Sequence, residues 1–142
     1  MRARLFLTFP LPQDLHPKDA EPRSIKTGDI VKVFNERGTV LCGALVWERI
    51  MPGALSVDHG ARTDIIIPGK LDRGGAINLI TPKGLTSRHA GGQATTSFLV
   101  DVQRVSMDEM DKWRREYPEA FNRDYDRAAG LKSSAWVERG SK

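Results

Sequence analysis

Two runs of β-forming residues on either side of a short turn constrain the fold of this chain most strongly. Residues 30–34 (IVKVF) are rich in β-branched and aromatic side chains, and residues 39–46 (TVLCGALV) are again largely apolar. The four residues between them, NERG, are typical of a turn, and the last one, Gly38, suits a positive φ angle. The pattern predicts a β-hairpin, and therefore a fold built on a sheet.

Shorter apolar runs predict further strands around this hairpin. They lie at residues 5–9, where Pro10 and Pro12 would end the strand, and at residues 54–57, 65–67 and 98–105. A short helix is expected at residues 16–21, because proline is favoured in a first helical turn.

A glycine-rich segment from residue 68 to residue 94 interrupts the strands. It holds six of the thirteen glycines and shows almost no periodicity. Loops of this length inside a compact domain are uncommon, and they are usually functional or disordered. The sequence leaves both interpretations open.

The pattern changes to helical at residue 106. Ser106 and Glu109 have the spacing of a capping box. An apolar stripe follows at helical spacing, formed by Met107, Met110, Trp113 and Tyr117. We expect this stripe to pack on the domain, Pro118 to end or kink the helix, and a second helix to occupy residues 119–129.

Composition excludes several classes of protein. One cysteine and three scattered histidines among 142 residues allow neither a disulfide scaffold nor a zinc finger. Cys42 lies within an apolar strand, so we expect a small core residue without a metal or redox role. The longest uncharged apolar stretch, residues 5–12, is too short to span a membrane, and no small-residue cleavage site follows it. We therefore expect a cytoplasmic protein without a membrane segment.

The net charge of +4 belongs to one part of the chain. Residues 106–142 carry eight basic and eight acidic side chains, so the whole excess lies in residues 1–105. An anionic partner, if there is one, is therefore expected at that part. The basic residues are dispersed rather than clustered with aromatic ones, so we do not expect nucleic acid as a partner.

Residues for catalysis are hard to assemble, because the chain lacks a nucleophile elbow, a P-loop and a spaced acidic metal motif. His59 is the only evident candidate for a general base. The glycine-rich segment is better suited to binding. Its glycines let a ligand approach the backbone, its neutral polar side chains suit a heterocycle, and Arg73 and Arg88 favour an anionic ligand.

Four stretches, taken in their order and spacing, resemble a known family. They are IKTGDIVKVFNERGTV (25–40), VWERIMPG (46–53), DHGA (58–61) and GGAINLITP (74–82). This set resembles the C-terminal dinucleotide-binding domain of the molybdopterin oxidoreductases, the dimethyl sulfoxide reductase family. The resemblance covers about residues 16–105, and it is greatest to large subunits of the transhydroxylase or resorcinol hydroxylase type.

The resemblance implies a mainly β fold, a six-stranded double-psi β-barrel of the aspartate-decarboxylase type, with a C-terminal helical extension. On that basis residues 1–15 are an N-terminal arm, residues 16–105 the barrel and residues 106–142 a helical tail. It also implies molybdopterin guanine dinucleotide, with molybdenum or tungsten, as cofactor. The residues implied to contact this cofactor are His59, Gly60, Asn78, Thr81, Gln93 and Thr95, and no residue is implied as a metal ligand or as catalytic.

The family carries its metal ligand and most cofactor contacts on several hundred residues that precede this domain. We therefore expect a chain without a complete active site, which binds the cofactor together with a larger catalytic chain. An alternative is a small β-barrel interaction module that binds a protein or nucleic acid through the Met107 and Trp113 helix or its basic face. A self-sufficient hydrolase or decarboxylase that uses His59 is a third hypothesis.

Overall fold

The computed structural model describes residues 12–57, 61, 63–85, 87–89, 91–92 and 98–121. The strands are β1 (Pro12–Leu15), β2 (Ile30–Phe34), β3 (Thr39–Val46), β4 (Leu55–Val57), β5 (Ile65–Ile67), β6 (Leu71–Asp72) and β7 (Asp101–Arg104). The helices are α1 (Pro17–Ala20), α2 (Met107–Glu116) and α3 (Pro118–Phe121), with 3₁₀ helices at Glu21–Arg23 and Ile77–Leu79. The prediction of a mainly β fold is confirmed.

Strand β3 organises the sheet because three strands pair with it. It is antiparallel to β2, which confirms the predicted hairpin, and parallel to both β1 and β6. Strand β4 adds antiparallel to β1, β7 adds antiparallel to β2, and β5 pairs with β6. The order along the main path is β4-β1-β3-β2-β7, within one mixed sheet of seven described strands.

Alternation along the hairpin separates the core into two clusters, since successive side chains of a strand point to opposite faces. One face carries Val31, Val33, Val40 and Cys42, which pack with residues of β1, α1 and β7 in the first cluster. The other face carries Leu41, which packs with β6, α2 and α3 in the second cluster. Both faces of this part of the sheet are therefore covered.

Two strands were not anticipated from the sequence. We expected Pro12 to end a ladder, but Pro12 begins β1, where a proline is tolerated because it is the first residue of the strand. Strand β6 lies inside the glycine-rich segment, and it forms because Thr39 and Val40 of β3 offer a parallel partner. Strand β7 is shorter than predicted and covers Asp101–Arg104.

The helices follow their sequence signals closely. Pro17 begins α1, and His16 Nδ1 accepts a hydrogen bond of 3.1 Å from the Lys18 amide. The Ser106 hydroxyl caps α2 by accepting 3.1 Å from the Glu109 amide. Glu109 itself does not complete the capping box, because its carboxylate accepts 2.7 Å from Lys32 of β2.

The apolar stripe of α2 packs on the domain as predicted, apart from its first residue. Met110 is buried, and Trp113 and Tyr117 pack against the second cluster, whereas Met107 is exposed. The helix ends before Pro118, where α3 begins. Of the predicted second helix, only residues 119–121 lie within the described part of the chain.

Cys42 should be chemically inert in the folded chain. It is fully buried, and burial, followed by the charge of Asp72, raises the pKa of its thiol from 9.0 to about 12. We expect no alkylation by iodoacetamide at pH 8 in buffer and complete alkylation in urea, measured by mass spectrometry. Rapid labelling of the native chain would contradict this.

The raised pKa also predicts a pH dependence. Above about pH 9 the unfolded thiol loses its proton while the folded one keeps it, so wild-type stability falls as the pH rises from 9 to 12. The Cys42→Ala variant, compared by urea unfolding at each pH, should show a shallower fall.

None of the helices in the described part of the chain is long and apolar enough to cross a membrane.

Candidate functional site

The predicted site residues divide into two groups. His59, Gly60, Gln93 and Thr95 lie outside the described residues. Asn78 and Thr81 are described, and they lie in and just after the 3₁₀ helix Ile77–Leu79. The Asn78 side chain is exposed, so its carboxamide is available to a ligand.

Thr81 is partly committed to its own segment. Its hydroxyl donates a hydrogen bond of 3.0 Å to the Ile77 carbonyl, which leaves only the acceptor lone pairs of the oxygen for a ligand. Asn78 is therefore the more accessible of the two side chains, whereas Thr81 stabilises the turn.

The turn between β2 and β3 fastens the segment that carries Asn78. Asn35 Nδ2 donates 2.8 Å to the Ile80 carbonyl, while Asn35 Oδ1 accepts 2.9 Å from the Arg37 amide. One side chain therefore joins the end of the 3₁₀ helix to the hairpin turn. The sequence did not indicate this role, because the Ile80 carbonyl is a backbone group 45 residues away from Asn35 along the chain.

Gly38 of the same turn is needed for a reason other than the one predicted. It is not among the described residues with positive φ, which are Ser24, Gly28, Gly53, Gly69 and Gly75. Instead, Leu79 packs so closely that a Cβ on Gly38 would lie 2.8 Å from Leu79 Cγ and 3.3 Å from the Lys70 carbonyl oxygen. Close packing against the 3₁₀ helix, rather than backbone conformation, excludes a side chain here.

Gly38→Ala should therefore destabilise the chain and displace the turn that carries Asn78. We expect a loss of about 1–3 kcal/mol in the free energy of unfolding, as for other overpacked sites. Gly84→Ala is the matched control, since a Cβ at Gly84 meets nothing within 4 Å. Urea unfolding of both variants tests this, and equal stabilities would contradict it.

The carboxylate of Asp72 organises the start of the glycine-rich segment. Asp72 is 2% exposed. It accepts hydrogen bonds from the amides of Asp64 (2.7 Å), Ala76 (3.1 Å) and Gly74. Burial raises the pKa of Asp72 above its ordinary value of 3.8, and the three accepted bonds oppose that shift. One buried carboxylate thus holds residues 64 and 74–76 in register ahead of Asn78.

Arg73, which the sequence suggested as a group for an anionic ligand, is buried and engaged within the fold. It is 2% exposed, and its Nε donates 2.5 Å to Asp64 Oδ2. Its guanidinium lies 4.7 Å from the centre of the Phe121 ring in α3. Arg73 therefore fastens α3 to the glycine-rich segment, while Arg88, on an exposed stretch, stays available to solvent.

Gln13 of β1 is a polar residue that the sequence analysis passed over. It is 1% exposed, and neither Oε1 nor Nε2 has a hydrogen-bond partner among the described residues. The only sequence signal is a glutamine at the inward position of a strand whose next inward residue, Leu15, is apolar. Assigning residues 1–15 to an arm hid that signal.

The chemistry of these residues fits a neutral heterocycle better than a metal ion. The exposed Asn78 offers a carboxamide, which donates and accepts on one planar edge. In the described part of the chain no group of three or more His, Cys, Asp or Glu side chains is placed to hold a metal. The donor set therefore suits the organic part of a cofactor.

A groove of about 410 Å³ lies elsewhere, between α2 and the outer face of the sheet. The ion pair of Lys32 and Glu109 borders it, together with Phe34, Trp113 and the exposed Lys70. Neither Asn78 nor Thr81, the two predicted cofactor residues that the structure describes, lines this groove, so it is separate from the Asn78 turn.

Comparison with known proteins bears on this site. Residues 13–98 match the family model described as Molydopterin dinucleotide binding domain. The dimethyl sulfoxide/trimethylamine N-oxide reductase of Cereibacter sphaeroides is 38% identical over 95 residues, which are 65% of this chain and 12% of the relative. The pyrogallol hydroxytransferase large subunit of Pelobacter acidigallici is 38% identical over 96 residues, 66% of this chain and 11% of the relative.

Trimethylamine-N-oxide reductase 1 of Escherichia coli K12 is 38% identical over 98 residues, 67% of this chain and 12% of the relative. The chain thus spans only about an eighth of the length of these relatives. The matched region begins at Gln13 and includes the Asn78 turn. The predicted resemblance is confirmed, and the chain belongs to the molybdopterin dinucleotide-binding domain family.

Proposed function

We propose that this chain is the cofactor-binding domain or subunit of a molybdenum or tungsten oxidoreductase, and that it binds molybdopterin guanine dinucleotide without catalysing turnover alone. The match of residues 13–98 to the family carries this proposal. The chain matches only about an eighth of the length of its relatives, which supports the need for a larger catalytic chain. Bound metal and pterin supply the electron transfer of the reaction.

The role proposed for this chain is recognition and orientation. The exposed carboxamide of Asn78 hydrogen-bonds a pterin or guanine edge, and the turn held by Asn35 and Gly38 fixes its position. His59, Gly60, Gln93 and Thr95 are proposed to complete the wall around the cofactor, with Thr81 beside Asn78. Hydrogen bonds hold both the turn between β2 and β3 and the turn that carries Asn78. A surface fixed in this way before binding lowers the entropic cost of binding.

The finer fold that we propose is a six-stranded double-psi β-barrel. Its support is the pairing of β3, which is parallel to two strands at different points along its length and antiparallel to a third. Parallel and antiparallel neighbours around one long strand are compatible with a sheet that closes on itself.

Cofactor retention tests the proposal directly. The chain is co-expressed with a larger molybdopterin chain and purified as the complex, and its pterin content is measured as fluorescence after acid oxidation. We expect pterin in the wild-type complex and at least a tenfold weaker retention in Asn78→Ala, since a lost hydrogen bond in a buried contact is worth about 1.4 kcal/mol.

Gln103→Ala serves as the matched control, because this exposed amide lies on β7 and lines the separate groove. It should retain cofactor like the wild type. A wild-type complex that holds no pterin under oxidising or reducing conditions would refute the proposal. Nucleic-acid binding with a steep salt dependence would instead favour an interaction module.

A further inference from the structure

The groove between α2 and the sheet holds an aromatic side chain that the core does not use. Phe34, the last residue of β2, is only partly buried and belongs to neither of the two core clusters. It lines the groove of about 410 Å³ together with Ile67 and Trp113, which are also partly exposed. Apolar side chains gathered in one concave surface, rather than scattered singly, are typical of an interaction site.

The register of the hairpin explains why α2 leaves this groove open. On the outer face of the sheet, Leu41 of β3 lies opposite Lys32 of β2, and Thr39 lies opposite Phe34. Helix α2 packs over the first of these two rows, where Leu41 belongs to the second core cluster. The second row continues to Leu71 of β6, and its members Phe34 and Thr39 remain partly exposed. This second row forms the floor of the groove.

One positive charge in the groove lacks a counterion. Lys32 and Glu109 neutralise each other, with 2.7 Å between Nζ and Oε1. Glu109 is the only acidic side chain among the described residues that line the groove. Lys70 is exposed, and it forms no ion pair with the described part of the chain. The groove therefore carries one unbalanced positive charge beside apolar side chains, which complements a carboxylate next to an apolar group.

The Lys70 end of the groove adjoins the turn that positions Asn78. The Lys70 carbonyl accepts a hydrogen bond of 2.8 Å from the Thr39 amide. The same carbonyl and Leu79 both lie within 3.3 Å of the place that a Cβ on Gly38 would take. A partner in the groove thus lies next to this turn without covering Asn78, which does not line the groove. Docking here is compatible with cofactor binding.

On the basis of the proposed function, we infer that the Lys70 end of the groove is a docking site for the larger catalytic chain. The segment that binds there places an apolar side chain against Phe34 and Trp113 and a carboxylate against Lys70. A larger chain is the expected occupant because this chain spans only about an eighth of the length of its relatives. Aromatic side chains that become buried at an interface commonly carry much of its binding energy.

Reversal of the charge at Lys70 tests this inference in the complex. Lys70→Glu should bind the larger molybdopterin chain about tenfold more weakly, because the carboxylate of the partner then meets a like charge. Lys112→Glu is the matched control, since this exposed lysine of α2 does not line the groove, and it should bind like the wild type. Surface plasmon resonance measures both affinities at one salt concentration. Both positions are exposed, so urea unfolding should find both variants folded.

Zero-length crosslinking identifies the occupant of the groove. A carbodiimide joins a lysine amine to a carboxylate in contact with it, and mass spectrometry locates the bond. We expect Lys70 to be joined to an Asp or Glu of the larger chain. Lys70→Arg should keep the affinity, because arginine retains the charge, but it should lose this crosslink.

The other end of the groove provides a second control. Gln103 lies there on β7, which β2 and β3 separate from β6. Three strand spacings of about 4.8 Å place the two ends roughly 14 Å apart. Gln103→Ala should therefore change neither the affinity nor the crosslink at Lys70.

The outcomes separate this inference from the proposed function. If Lys70→Glu binds like the wild type, if Lys112→Glu weakens binding equally, or if Lys70 forms no crosslink, the docking site is refuted while cofactor binding stands. A crosslink from Lys70 to residues 122–142 of the same chain, or to a second copy, also refutes it. If the wild-type chain forms no complex with a larger molybdopterin chain, both fail. A loss confined to Lys70→Glu, together with a crosslink to the larger chain, supports the inference.

Discussion

Asp72→Ala is expected to lower the free energy of unfolding by about 3 kcal/mol or more. The carboxylate accepts hydrogen bonds from three amides in a buried place, and each amide left unpaired costs about 1–3 kcal/mol. The loss should be concentrated where these bonds lie. Urea unfolding measures its size, and hydrogen exchange at the amides of Asp64, Gly74 and Ala76 measures its location.

Asp72→Asn separates the charge from the hydrogen bonds. An amide oxygen still accepts, so we expect a smaller loss than in Asp72→Ala. Asp108→Ala, which removes an exposed carboxylate from the first turn of α2, is the control and should change stability little. If Asp72→Ala and Asp108→Ala unfold at the same urea concentration, the assigned role of Asp72 is wrong.

The raised pKa of Asp72 also predicts how the stabilities of the wild type and of Asp72→Asn change with pH. The folded chain keeps the Asp72 proton to a higher pH than the unfolded chain, so it binds more protons between 3.8 and the raised pKa. Wild-type stability therefore falls, relative to Asp72→Asn, as the pH rises through that window, and the difference becomes constant above it. If the wild type instead gained stability relative to Asp72→Asn as the pH rises, the direction of the pKa shift would be contradicted.

Arg73→Met should be the second large effect, a loss of about 3 kcal/mol. Removing one partner of a buried ion pair typically costs 3–5 kcal/mol, and we place this pair at the lower end because the Asp64 side chain is 20% exposed. Methionine retains much of the length of arginine but neither its charge nor its contact with Phe121. We therefore expect α3 to loosen from the domain as well.

Two measurements test this second prediction. Urea unfolding gives the loss of stability, and hydrogen exchange in α3 reports whether the helix has loosened. Arg115→Met, at an exposed position of α2, is the matched control and should resemble the wild type in both. Arg73→Lys should recover only part of the stability, because lysine keeps the charge but lacks the planar guanidinium. Protection of α3 that is unchanged in Arg73→Met would exclude the fastening role.

Local signals in the sequence accounted for much of the fold. The hairpin of β2 and β3, the proline that begins α1 and the serine that caps α2 all depend on residues within a few positions of one another. Such features are readable because backbone propensity and capping are local. The same holds for Cys42, whose apolar neighbours along β3 indicated a core residue.

The candidate site was only partly predictable. Asn78 was found through the resemblance, and its exposure agrees with a role in binding. Gln13 was missed because its burial depends on pairing with Ala44 and Val57, which are far away along the chain. The burial of Arg73 was missed for the same reason, since Asp64 and Phe121, which contact it, are not its neighbours in the sequence.

The sequence by itself determined the class of the protein, since the order and spacing of its motifs led to the family that the comparison confirmed. It also determined the hairpin and the ends of the helices, which depend on near neighbours. Only the tertiary structure decided which polar groups are buried and what they contact. Those contacts join β1 to β3, Asp72 to residues 64 and 76, and Gly38 to Leu79. They depend on how the folded chain brings separate segments together, and such hydrogen bonds and packing leave no pattern in a single sequence.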